Sequence, residues 1–258
     1  MKRLLTLVLA LGLLACVTSA ASAVTLIGGS TNNGNLDLTQ ATEIVPGFFL
    51  PKPQVWQNVG TRTIGGPYED EMSSEPWAGP APTPVTMDGL LNPPHPEGCG
   101  GPDCAVFFKP FSGNTANGAA TGHLFQDNPA SPGEIYEMTG WAGAEANALM
   151  ADAEFAIDFL NGGGGVIGGT SLSLLPTLFT PNGQPFNYKK YVLAAVAPAG
   201  TAAVRARASM IGAMSNPAGG GQAYVVDDFT LNSGIPEPTS FVLGLIVMLS
   251  YLGLARRR

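Results

Sequence analysis

The chain has 258 residues, 45% hydrophobic and only 12% charged, with 34 Gly, 22 Pro and a net charge of −7. Long amphipathic helices are built from more charge and less Gly and Pro than this, so strands punctuated by turns are the expected build. An acidic chain repels phosphate, which sets nucleic acid and anionic lipid surfaces aside as partners.

At the start, Lys2 and Arg3 precede an apolar run from Leu4 to Val17, and Ala21-Ser22-Ala23 supplies the small residues that a signal peptidase requires. This predicts a signal-peptide helix over 1–23, cleaved after Ala23. A second reading stands beside it: Leu13-Leu14-Ala15-Cys16 is a tolerable lipobox, which would make Cys16 a lipidated N-terminus. Between the two greasy ends, residues 24–235 hold seven Lys plus Arg against eighteen Asp plus Glu, a balance of −11. Export and the even pair left after Cys16 is removed predict a disulfide between Cys99 and Cys104. Zinc is the alternative, and it would have to draw on His95 and His123.

One domain over 24–233 is expected. Thirteen prolines fall between Pro46 and Pro110; proline cannot donate to a sheet ladder, so 46–110 reads as long loops with a few short strands. Trp56, Tyr68 and Trp77 lie in this region. They are candidate sugar-stacking rings, or anchors that hold the loops to the body. The acids Glu69, Asp70, Glu71 and Glu75 read as a solvated loop rather than as a glycosidase acid and base.

Past Thr121 the alternation sharpens. Residues 121–127 and 134–141 read as strands around the turn Pro129-Ala130-Ser131-Pro132-Gly133. In 153–160, Phe155, Ile157 and Phe159 alternate with Glu154, Ala156 and Asp158, a half-buried strand by its period of two. The Gly162–Gly169 run lacks the Lys-Ser/Thr ending of a phosphate loop and reads as a flexible turn. Val204, Ala206, Ala208 and Met210 alternate with Arg205, Arg207 and Ser209. Ala223, Val225, Phe229 and Leu231 are expected to share one face of a final strand. That alternation turns Asp227 inward, where a carboxylate needs a partner; an Asp bonded to backbone amides is the plainer alternative. Trp141 reads as core or edge packing. The spacing predicts an antiparallel β-sandwich.

The order of Gly122-His123-Leu124-Phe125-Gln126, Pro132 to Trp141, Phe155 to Asn161, Ala197 to Thr201 and Tyr224 to Leu231 resembles the jelly-roll carbohydrate-binding modules of the galactose-binding-like type. Asn33-Gly34-Asn35-Leu36-Asp37 is similar to their Asn-Gly-Gly-Phe-Glu opening. The resemblance implies an all-β jelly-roll sandwich, polysaccharide binding and a structural Ca²⁺ held by Asp37 and Asp227. Region 46–110 matches nothing in that pattern.

At the end, Pro236-Glu237-Pro238 precedes an uncharged run from Thr239 to Ala255 and then Arg256-Arg257-Arg258. Seventeen residues at about 1.5 Å each make a helix of about 25 Å, near the lower limit for crossing a bilayer core. The arginines hold their end in the cytoplasm. The tail over 234–258 resembles the PEP-CTERM sorting signal of Gram-negative bacteria. That resemblance implies an exosortase-type transpeptidase as partner, transient anchoring in the inner membrane, and delivery to the cell surface or extracellular matrix; an ordinary single-span anchor is the alternative. No Gly-x-Ser-x-Gly elbow or histidine triad is present, so no enzyme is expected. A purely structural matrix protein is the other function class, with a polysaccharide hydrolase behind it.

Overall fold

The computed structural model describes residues 23–62, 72–76, 104–109, 118–178 and 189–234. The signal segment up to Ser22, Tyr68, Trp77, His95, Cys99 and the sorting tail lie outside the described residues. No described helix is long and apolar enough to cross a membrane.

The strands are β1 Val24–Ile27, β2 Thr39–Val45, β3 Phe48–Pro53, β4 Gln57–Arg62, β5 Met72–Pro76, β6 Cys104–Phe108, β7 Ala120–Pro129, β8 Ile135–Ala144, β9 Asp152–Leu160, β10 Val166–Ser173, β11 Lys189–Val196, β12 Ala203–Ala213 and β13 Tyr224–Ser233. A single helical turn, α1, spans Leu175–Leu178. One sheet runs β11-β8-β13-β6-β5, with β1 also on β13, and the other runs β10-β9-β12-β7-β4; β2 and β3 form a separate ribbon. Neighbours pair antiparallel throughout. From β6 onward the chain passes repeatedly from one sheet to the other, so the expected all-β sandwich is the architecture observed.

The period-two patterns place the core where they should. Phe155, Ile157 and Phe159 of β9 and Val204, Ala206, Ala208 and Met210 of β12 are buried between the sheets. They face Tyr136 and Met138 of β8 and Phe229 and Leu231 of β13. Phe229 is the hub, with ring centroids 5.0 Å from Trp56 and 5.2 Å from Phe155. Such aromatic pairs add about 0.5–1.5 kcal/mol each beyond their buried area.

Three expectations are corrected. The first is the phase of the last strand. β13 shifts register against β8 between Asp227 and Thr230, and Asp228 takes φ 48°. The slip inverts the alternation, so Tyr224 and Val226 share the main core with Phe229 and Leu231. Ala223 and Val225 instead pack with Ala105, Phe107 and Trp141 in a second cluster. By the same parity Asp227 stands with Val225 on the outer side of its sheet and does not turn into the sandwich.

The second concerns glycine. The glycine turn closes by Gly165 and β10 follows, Gly168 and Gly169 included. The few short strands expected within 46–110 are β3, β4, β5 and β6, Pro51 and Pro53 lying in a two-stranded ribbon. The third is the zinc alternative: Cys104 is disulfide-bonded, and His123 sits on β7 in the other sheet.

Gly140 marks a tight point of the core. A Cβ there would lie 2.6 Å from Phe229 Cε1 and 2.9 Å from Phe155 Cε2. Gly140→Ala is therefore expected to destabilise the fold by about 1–3 kcal/mol through overpacking. Thermal unfolding followed by circular dichroism checks this, at roughly 2–4 °C of Tm per kcal/mol for a body of this size.

Candidate functional site

The outer face of the five-stranded sheet carries a set of charged and polar side chains bonded to one another. Alternation that buries Val204, Ala206 and Ala208 sends Arg205, Arg207 and Ser209 outward from β12. Cross-strand register then sets Arg205 between Asp127 and Asp158, Arg207 between Phe125 and Ala156, and Ser209 between His123 and Glu154. Gln57 and Val59 of β4 extend the first two strands' rows beyond Phe125 and His123.

These neighbours are bonded into one network. Arg205 grips Asp127 with two bonds, Nε to Oδ1 at 2.7 Å and Nη2 to Oδ2 at 2.9 Å. Its guanidinium carbon lies 3.8 Å from the centroid of the Phe125 ring, a cation–π stack. Arg207 Nε donates to Asp158 Oδ2 at 2.8 Å, while its Nη1 donates to Glu154 Oε1 and, at 2.7 Å, to Ser209 Oγ. Ser209 Oγ lies 2.8 Å from His123 Nδ1. Which of the two donates in that contact depends on the His123 tautomer, since the hydroxyl oxygen can accept from both Arg207 and the ring.

This face can hold hydroxyl-bearing ligands, because its carboxylates and guanidiniums offer fixed acceptors and donors side by side. It is poorly built for nucleophilic catalysis. The serine and histidine are in hydrogen-bond contact, but Ser209 is 0% exposed, and both carboxylates near it are engaged by one guanidinium.

The residues singled out in the sequence lie elsewhere. Trp56, a candidate stacking ring, is 5% exposed, lies against Phe229 and donates from Nε1 to Asn33 O at 2.9 Å. It anchors the opening segment and is not presented to a ligand. Asp37 is buried, its Oδ2 accepting from Asn35 Nδ2 at 2.7 Å and its Oδ1 from Cys104 N at 2.9 Å. Asp227 is also buried, and its Oδ1 accepts from Asp228 N at 2.8 Å. Among the described residues no three His, Cys, Asp or Glu side chains gather as one metal-ligand group. Among the described residues, two carboxylates are thus the most that a cation site here would draw on.

Arg205, Arg207, His123 and Phe125 were not singled out as a site from the sequence. The available signal was opposite charge on one face of each strand: Arg205 and Arg207 lie two apart, and Glu154 and Asp158 four apart, on a strand that could pair with theirs.

No protein-family model matches the chain, and no curated protein matches it either. Solved structures do. The chain is similar to the enzymatically active domain of tailspike protein 4 from bacteriophage CBA120, at 13% identity and TM-score 0.44, over 80% of this chain and 21% of that one. It therefore spans about a fifth of the tailspike chain. It is similar to the module TmCBM61, solved with β-1,4-galactotriose, at 15% identity and TM-score 0.34, over 69% of this chain and 88% of that one. A third is the CBM22-1 xylan-binding domain from Paenibacillus barcinonensis, at 13% identity and TM-score 0.31, over 52% and 74%. The likeness is confined to the general sandwich build.

His123 gives the site a pH signature. Its pKa is lowered from the ordinary 6.5, first by burial and next by the Arg207 charge. The unfolded chain therefore takes up the proton more readily than the folded one, so stability is full above about pH 6.5 and declines as pH falls from there toward the lowered value. Chemical denaturation at pH 7.5 and 5.5 should show wild type losing more stability on acidification than His123→Gln; equal losses would contradict the assignment.

Proposed function

We propose that this chain is an exported cell-surface or extracellular-matrix protein whose sandwich binds polysaccharide on the outer face of the five-stranded sheet. The observation that carries the reading is the bonded row of Asp127, Arg205, Asp158, Arg207, Glu154 and His123 beside the Phe125 ring. Neighbouring sugar hydroxyls each donate and accept, and a planar guanidinium beside a carboxylate meets both roles without rearranging. Exposed Gln57 and Val59 on one flank, and Ser171 and Ser173 on the other, widen the platform. The terminal signals supply the other half of the proposal: signal peptidase cuts after Ala23, and an exosortase-type transpeptidase acts near Pro236, Glu237 and Pro238.

Affinity electrophoresis of the full chain through gels containing neutral polysaccharides tests the binding. Retardation is expected for wild type and should be largely lost in Arg205→Ala, with the far-ultraviolet spectrum unchanged. Protein recovered from washed native matrix should begin at Val24 and lack Arg256 to Arg258 by mass spectrometry. The same location and termini without retardation by any glycan would favour the purely structural alternative.

A structural Ca²⁺ at Asp37 and Asp227 is proposed beside this reading. What supports it is donor chemistry: two buried carboxylates on the opening loop and the last strand, with carbonyl oxygens and water to complete a shell of the kind Ca²⁺ accepts. A Tm that rises with Ca²⁺, falls with EDTA and loses both responses in Asp227→Asn is the expected result; a Tm indifferent to both would end the proposal.

A further inference from the structure

Among the described residues, four strands bound the two main sheets: β11 and β5 in one, β10 and β4 in the other. An edge strand offers unpaired N–H and C=O groups to any passing chain, and proteins usually blunt such edges. Three of these four are blunted. β5 has five residues, ends in Pro76 and is flanked by β3, whose Lys52 Nζ donates to Met72 O. β10 breaks register between Val166 and Gly168 and contains Gly169 at φ 146°, where a Cβ would lie 2.1 Å from Ile157 O. β4 has six residues, carries Gly60 and ends at Arg62.

β11 carries charge only at its first end, Lys189 and Lys190, and comes near β9 and β10 of the other sheet, but it is neither short nor broken in register. Its eight residues pair with β8 without interruption from Lys189 opposite Ala142 to Val196 opposite Ile135, and it contains no Pro or Gly. Alternation sends Lys190, Val192, Ala194 and Val196 to the outer side, where Val192 is 53% and Val196 57% exposed. Among the described residues the strand is thus regular, unpaired along one side and apolar over most of one face.

Its charges indicate what fits there. Lys189 and Lys190, two of only seven cations in residues 24–235, stand at its first end. Glu134 and Glu137 stand at the other, Glu137 being on β8 opposite Ala194. A second β11 laid antiparallel across a two-fold axis sets each lysine end beside the other copy's glutamates, and sets the valines of both copies side by side. In a body with a balance of −11, a parallel or unregistered approach gains no such relief from repulsion.

We propose that β11 is a self-association edge, pairing antiparallel with β11 of a second copy about an axis near Val192 and Leu193 and joining two sheets into one. The interface is isologous, so each contact occurs twice. Main-chain bonds supply the attachment, and the lysine and glutamate ends fix its direction.

Sedimentation velocity of the full chain in a mild non-ionic detergent, over concentrations up to about 100 µM, reads the association constant directly. A reversible dimer is expected for wild type. Val192→Lys, at an exposed position that leaves the core intact, should weaken the dimer by at least about tenfold, as should Lys190→Glu. Adding Glu137→Lys to Lys190→Glu should recover most of that loss. Wild type that stays at protomer mass overturns the proposal. So does a dimer indifferent to Val192→Lys, as association through the greasy termini would be, or a charge swap that restores nothing. No glycan enters the experiment, so its outcome is independent of the binding reading.

Discussion

A single register slip in the last strand organises this protein. Between Asp227 and Thr230 the chain takes one step out of phase, with Asp228 in the left-handed region. Residues on both sides of the step can then face the core, Tyr224 and Val226 before it and Phe229 and Leu231 after it. At the step the Phe229 N–H turns to the opening loop and donates to Gly34 O at 2.7 Å. A Cβ on Gly34 would come within 2.6 Å of Phe229 O, so the approach requires a residue without one. Asn33 locks the same loop, its Nδ2 donating to Leu38 O and Gln54 O and its Oδ1 accepting from Leu38 N, each at 2.9 Å. First and last segments of the domain are thereby closed on one another, with Trp56 packed over the joint.

The two outer faces follow from this arrangement and differ in character. On the five-stranded side, strands in strict alternation project opposite charges in register, and the resulting network neutralises most of its own charge. On the six-stranded side, the slip delivers Ala223 and Val225 outward, where Phe107, Ala105 and Trp141 shelter them. One face is a polar array bonded across strands. The other is partly apolar and runs out to the regular, open strand β11.

Much of the fold was legible where burial is one-sided. Phe155, Ile157 and Phe159, or Val204 through Met210, face the core because a period of two on a half-buried strand leaves only one way to bury them. The reading failed where a local rule was overridden by pairing. Val225 was assigned to the core because a slip of one residue has no mark in composition. The start of β10, through Gly169, was read as part of a glycine turn, yet Gly169 suits a position where the β9 backbone approaches too closely for a side chain. For Trp56 the sequence left open a stacking ring or an anchor, and the structure decides for the anchor, since nothing nearby in sequence announces Asn33 O as the acceptor for its indole.

The sequence by itself determined the class of body, the acidic balance and the strands whose alternation is unbroken, since each depends on composition or on residues within a few positions of one another. Only the tertiary structure decided which strands lie side by side, and so that Arg205 and Arg207 would meet Asp127, Asp158 and Glu154, that Asp227 would face outward, and that β11 would stand at an edge. Those outcomes depend on contacts between residues far apart along the chain, which register sets and local pattern does not record.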